Sequence, residues 1–153
     1  LHAAGGFPCG YRAIESLRLE KGYLAWAGEI NTEYNPYEAG LGFAISKKKQ
    51  NFYGAKSLEN LRSPSRKLVA ITFQDIKQVP LGSEPIRYGE KVIGRIKSGG
   101  QGYTIGKAIG YAYIPIEHST PGTKLEVEFF GTWIAGMVSA TPLYDPTGAK
   151  IKS

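Results

Sequence analysis

The chain has 153 residues, enough for one ordinary domain or a small domain with part of another attached. Its single cysteine, Cys9, excludes an internal disulfide and a multi-thiolate metal site, and no window reaches the ~20 apolar residues a membrane-spanning helix needs. The net charge of +6 raises nucleic acid or another polyanion as a partner, but the basic residues are scattered. The densest run, Lys47-Lys48-Lys49, lies between two apolar segments and reads as a solvated turn.

The first six residues carry no basic region and no long apolar run, so no signal peptide is expected there. Tyr11, Ile14 and Leu17 are spaced by three on one helical face, and Gly22 stands where a helix would end, which predicts a helix over residues 10–21. Tyr23 and Trp26 follow it as amphipathic aromatics, expected in the core. Asn35-Pro36 punctuates the chain, Glu38 is placed to cap a helix or a turn, and Leu41-Gly42-Phe43-Ala44-Ile45 reads as a short apolar strand. A helix and a lone strand cannot bury their apolar faces by themselves. The missing partners are therefore expected upstream, in a longer chain of which this is a fragment. A short helix is expected over residues 54–61, and Ser63-Pro64-Ser65 marks a linker.

Beyond the linker the period changes from helix to strand. Leu68, Ala70 and Thr72 alternate with Val69, Ile71 and Phe73, a strand apolar on both faces. Ile86-Arg87-Tyr88 and residues 91–97 flank Gly89-Glu90, a hairpin signal. Gly99-Gly100-Gln101-Gly102 reads as a β-turn; it lacks the Lys-Ser/Thr ending of a phosphate-binding loop and leads into no helix. Residues 103–114 form a long strand interrupted by Gly106 and Gly110, as barrel bends require. Leu125, Val127 and Phe129 alternate with Glu126 and Glu128 before Gly131-Thr132 turns the chain back. The expected fold is an α+β segment, residues 1–62, followed by a mainly antiparallel, distorted jelly-roll-like β-barrel, residues 66–153.

Little in the chain could catalyse by itself. His118 and Ser119 are neighbours in a polar loop, with no third member and no nucleophile elbow. No His, Cys and carboxylate spacing resembles a metal site, and no catalytic residue is assigned. Arg18, with Glu20 close by, has the composition of a surface ion pair.

The ordered series Ser16-Leu17-Arg18-Leu19-Glu20-Lys21-Gly22, Ala25-Trp26, Asn35-Pro36-Tyr37-Glu38-Ala39-Gly40-Leu41, Asn51-Phe52-Tyr53-Gly54, Gly94 to Gly100, Gly106-Lys107-Ala108-Ile109 and Pro142-Leu143-Tyr144-Asp145-Pro146 resembles the C-terminal portion of the glycine-cleavage T-protein (aminomethyltransferase) superfamily. Within it, the first runs look most like the folate-binding half of dimethylglycine and sarcosine dehydrogenases or oxidases. The resemblance implies two α+β domains around a folate cavity followed by a small barrel, and transfer of a one-carbon unit to tetrahydrofolate from an aminomethyl donor or a methylated glycine derivative. It makes Arg18 the cofactor-binding residue and Glu20 at most its orienting neighbour. Tyr144 has no secure counterpart and is left unassigned. The catalytic acid and the pterin-pairing glutamate of the family belong to a part not present here, so the fragment is expected to be inactive. FAD would belong to a separate N-terminal domain of a dehydrogenase-type parent. The compartment implied is cytoplasm, or the mitochondrial matrix in a eukaryote, with no membrane and no nucleic acid, and the unpartnered helix face implies self-association of the fragment.

Two other readings compete. A basic barrel can hold RNA or another polyanion through exposed aromatics, here Tyr103, Tyr111 and Tyr113, although these alternate with apolar residues as packed side chains do. Alternatively, the barrel is a structural support that binds nothing itself.

Overall fold

The alternating apolar segments after Ser65 pair into one antiparallel sheet that closes on itself. A computed structural model describes residues 2–46, 48–49 and 51–152. Its strands are β1 (Arg66–Phe73), β2 (Pro85–Tyr88), β3 (Lys91–Gly102), β4 (Lys107–Pro115), β5 (Lys124–Phe129) and β6 (Thr132–Ser139). They run around the barrel in the order β1-β4-β3-β2-β5-β6, with β6 returning to β1, so each strand has two partners. Closure removes the unpaired edges an open sheet would expose. Val69, Ile71 and Phe73 from β1 meet Ile86, Ile96, Ala112, Ile114, Leu125, Val127 and Val138 in the barrel core.

β1 and β4 are apolar on both faces because a second layer lies outside them. The helix α1 (Tyr11–Lys21) packs Leu19 against Ala70, Ile109 and Tyr111, with Leu68, Ile105 and Leu143 around them. Gly22 ends the helix at φ 73°, and the Gly22 and Tyr23 N–H groups close on the Leu19 and Arg18 carbonyls. A left-handed residue there satisfies the last free carbonyls, which is why glycine suits the position. The side of α1 that docks is Ser16, Leu19 and Glu20. Tyr11, Ile14 and Leu17, which the apolar spacing marks, are the exposed side. Periodicity finds an apolar face but does not say which neighbour reaches it; the barrel engages the opposite face, where two polar side chains meet backbone groups.

Several expectations are corrected. Residues 41–45 form no strand: Gly42–Ala44 is a 3-10 turn. These five residues have no strand partner among the described residues, and local bonds such as Ala44 N–H to the Leu41 carbonyl take the backbone groups instead. Trp26 and Tyr23 are exposed, at 70% and 57%, because the turn they occupy lies outside both apolar clusters. The Gly99–Gly102 run belongs to β3 rather than to a turn, and residues 103–106 make the turn into β4, with Gly106 at φ 67°. The short helix α2 spans Ala55–Glu59. Of the basic run, Lys47 lies outside the described residues; Lys48 and Lys49 are exposed. A last short helix, α3, covers Ala149–Lys152.

The β3 glycines have a packing reason. A Cβ on Gly99 would sit 2.2 Å from the Pro80 carbonyl oxygen, and one on Gly100 would sit 2.6 Å from Leu19 Cδ1. The strap over residues 74–84 and the helix α1 therefore approach the barrel wall where it carries no side chains. Gly99→Ala is expected to lower unfolding free energy by ~2–3 kcal/mol through overpacking against backbone. Gly10→Ala, where nothing lies within 4 Å, should stay within ~0.5 kcal/mol of the unsubstituted chain. Urea titrations of the two variants test the contrast.

Candidate functional site

The docking of α1 on β3 brings charged groups under cover. Arg18 is mostly buried, with its side chain 13% exposed. Its Nε and Nη2 donate to the two oxygens of Glu15, at 3.1 and 2.8 Å. One helical turn separates the two residues, so this pair is dictated locally. Nη1 donates to both oxygens of Glu29, at 2.9 Å each, and to the Tyr23 carbonyl at 3.1 Å. Five N–H groups are available on a guanidinium. One Nη2 hydrogen is left without a partner in this set.

Glu29 is fully buried and joins three elements. Besides Arg18 it accepts the Ala25 N–H at 2.8 Å and the hydroxyl of Ser98 on β3. A buried carboxylate is tolerated only when paired and hydrogen-bonded in this way. Burial works against the Arg18 charge, but the bonds from Glu15 and Glu29 outweigh it and hold the guanidinium more firmly protonated than usual. The bond from Arg18 pulls the Glu15 carboxyl below its ordinary value. Burial, followed by the Glu29 charge, pushes the Tyr111 phenol up, and its hydroxyl donates to the Leu19 carbonyl at 2.9 Å.

Glu20 is not part of this cluster. Its carboxylate accepts the Thr104 and Ile105 N–H groups at 2.7 and 3.1 Å and ties the β3–β4 turn to α1, so it does not orient Arg18. Tyr144 gives its backbone N–H to the Glu20 carbonyl at 3.0 Å, and its hydroxyl takes a bond from Lys150. Glu38 caps its turn by accepting the Asn35 N–H and pairs with Arg66 at 2.8 Å. His118 stacks on Tyr88, while Ser119 donates to the Ile116 carbonyl, so the two form no catalytic pair. Among the described residues no cluster of His, Cys, Asp and Glu is arranged to hold a metal ion.

Between α1 and the glycines of β3 lies a cavity of about 730 Å³ whose walls include Arg12, Glu15, Ser16, Pro80, Gly100 and Tyr103; Glu15, the partner of Arg18, lines it, and Arg18 itself does not. Sequence reasoning singles out Arg18 but misses its partners. Glu15 is legible from helical spacing. Glu29 is not, because turns bring it in from 11 residues away, nor is Ser98, which β3 brings to Glu29 from 69 residues away.

A six-stranded antiparallel barrel with a helix docked outside it, bearing a buried Arg–carboxylate cluster at the seam, defines the class. Residues 66–145 match the glycine cleavage T-protein C-terminal barrel domain, and residues 2–49 match the GCVT N-terminal domain. The chain belongs to the glycine cleavage T-protein family. It is 38% identical over 143 residues to an aminomethyltransferase of Symbiobacterium thermophilum, covering 92% of this chain and 38% of that protein. It is 36% identical over 148 residues to the mitochondrial dimethylglycine dehydrogenase of Rattus norvegicus, covering 94% of this chain and 17% of that one. The crystal structure of the glycine cleavage system aminomethyltransferase T from Bartonella henselae superposes with a TM-score of 0.82 at 30% identity, over 88% of this chain and 38% of that chain. The chain thus spans well under half the length of these relatives.

A carboxyl whose folded pKa is depressed adds stability that is complete above its unfolded pKa and is lost as pH falls through the folded one. For Glu15 that window opens at about its ordinary 4.5 and extends downward. Melting temperature is expected to fall with acid in that window, and Glu15→Gln should flatten part of the fall while lowering the plateau near neutrality. An acid limb identical in both proteins would remove the pair from the stability account.

Proposed function

We propose that this chain is the folate-binding C-terminal part of a tetrahydrofolate-dependent one-carbon transfer protein, and that Arg18 holds the cofactor. On this reading residues 1–62 are the tail of the folate-binding domain and residues 66–153 are a barrel that buttresses it. The observation that carries the reading is a buried Arg18, fixed from two sides by carboxylates, with one Nη2 N–H to spare. Family membership supports it, as does the cavity lined by Glu15, the partner of Arg18.

The donor set fits an acceptor needing one hydrogen bond from Arg18, such as a polar ring edge. It fits a bidentate carboxylate only where Glu15, 22% exposed, gives way. The cluster of Arg18, Glu15 and Glu29 already carries one negative charge in excess. Charge alone therefore favours a neutral acceptor at Arg18 and leaves anionic groups to Arg12 on the cavity wall, which has no ion pair among the described residues. Tetrahydrofolate supplies, when bound, the acceptor for the one-carbon unit. Glu29 and Glu15 keep the guanidinium aimed. The donor, an aminomethyl group or a methylated glycine derivative, and the reacting acid would be met by the rest of a longer protein, as would any FAD domain.

The exposed Tyr11, Ile14 and Leu17 would face that remainder, and self-association of the isolated chain is part of the same reading. An RNA-binding barrel finds no specific support. Tyr111 and Tyr113 are buried at 3% and 6% exposure, leaving only Tyr103 of the three open for base stacking.

In the longer protein, Arg18→Ala should weaken folate binding ~10–150-fold, from a charge-assisted bond of ~1.5–3 kcal/mol. Arg18→Lys should recover only part, since an ammonium lacks the planar fork. Equal dissociation constants with a lowered melting temperature would make Arg18 structural. The isolated chain should show no transfer from a methylated glycine to tetrahydrofolate, because positioned reactants are required; turnover by it alone would overturn this.

A further inference from the structure

A second cavity, also about 730 Å³, opens on another part of the barrel, between β1, β3, β4 and the turn that carries Tyr34. Its wall holds Arg66, Arg95 and Lys97 around two tyrosines. The rings of Tyr34 and Tyr113 lie parallel, with centroids 3.6 Å apart. Such face-to-face stacking is unfavourable for two ring quadrupoles. Cations relieve it: the Arg66 guanidinium is 4.7 Å and the Lys97 ammonium 5.1 Å from the Tyr34 centroid.

Barrel register explains the gathering. Arg95 of β3 is the direct partner of Tyr113 on β4, Lys97 follows two residues on, and Arg66 starts β1 on the other side of β4. A bulge between Ile96 and Ser98 turns the strand locally. Closing the barrel therefore presses like charges together on one wall.

Those charges are unevenly compensated. Arg66 has Glu38 at 2.8 Å and the Glu33 carbonyl at 2.9 Å. Among the described residues, Arg95 donates only to the Ser83 carbonyl, at 3.0 Å. Lys97 has the Tyr34 ring and, among the described residues, no carboxylate within 4 Å. Among the described residues Glu117 is the one acidic side chain on the wall, so with Arg66 matched to Glu38 these side chains keep one positive charge in excess. The Tyr113 ring lines the same wall, while its hydroxyl is shut off from solvent and, among the described residues, has no hydrogen-bond partner. Buried hydroxyls are nearly always partnered.

We propose that this cavity binds a small oxyanion, the phosphate or carboxylate of a low-molecular-weight ligand, with Arg95 and Lys97 as its charged contacts. An oxyanion brings acceptors to the Lys97 ammonium and the remaining Arg95 N–H groups and screens the repulsion between the cations. A nucleic acid fits less well, because Tyr34 already has one face on Tyr113 and cations over its ring, leaving little aromatic surface for a base.

Amide NMR titration of this chain with inorganic phosphate and, separately, succinate, at ionic strength held constant with sodium chloride, tests the site. Saturable shifts centred on Tyr34, Arg66, Arg95, Lys97 and Tyr113 are expected with one or both anions, and the stronger one identifies the headgroup. Lys97→Met should weaken binding roughly tenfold or more. Arg95→Gln, at an exposed side chain, should leave the fold intact while weakening binding. Shifts that grow linearly with anion, or spread equally over basic residues elsewhere such as Lys124, would overturn the proposal. So would saturable binding that neither variant alters, or shifts at this wall produced by a single-stranded oligonucleotide and by neither anion.

Discussion

Two buried carboxylates on opposite sides of α1 hold the helix against the barrel, and most of what this chain can do rests on that seam. Glu20 reaches the backbone of the β3–β4 turn, while Glu29 bridges Arg18, the turn after the helix and Ser98 of β3. Neither charge could be taken from water without these partners. Removing one partner of such a buried pair typically costs ~3–5 kcal/mol, because the other charge stays buried. Leu19 fills the space between them, fully buried, with the Tyr111 hydroxyl on its carbonyl. The helix is thus fixed by polar bonds on its flanks and an apolar anchor at its centre.

The barrel supplies the flat surface this seam needs. Gly99 and Gly100 leave β3 without side chains where Pro80 and Leu19 come closest. A bulkier strand would lift α1 away, and Ser98 would no longer reach Glu29. Packing and site are therefore one arrangement: the residues that let the helix approach also close the cluster around Arg18. The same closure of six strands brings Arg66, Arg95 and Lys97 together on another part of the wall, where nothing in the fold compensates them fully.

Belonging to the glycine cleavage T-protein family gives these features a context without assigning the residues. The match to an N-terminal domain over residues 2–49 and to the barrel over residues 66–145 places α1 and the Arg18 cluster ahead of the barrel, yet their contacts are with the barrel. A ligand held at Arg18 would therefore sense both parts at once.

What the sequence determined by itself was local. The helix over residues 11–21, its glycine stop, the strands β1, β5 and β6, the Gly89-Glu90 hairpin and the Glu38 turn cap follow from spacing and from residues with one preferred backbone geometry. The ordered motifs also sufficed to place the chain in its family, and they pointed to Arg18. Tertiary structure decided the rest. Which face of α1 is buried, the burial of Glu29, the strand character of Gly99–Gly102 and the exposure of Trp26 depend on neighbours distant in sequence. Residues 41–45 look like a strand because their composition is apolar, but a strand exists only when another chain segment offers its hydrogen bonds, and among the described residues none does. Local pattern reports what a segment can become; pairing, burial and the partner of each charge are settled where segments meet.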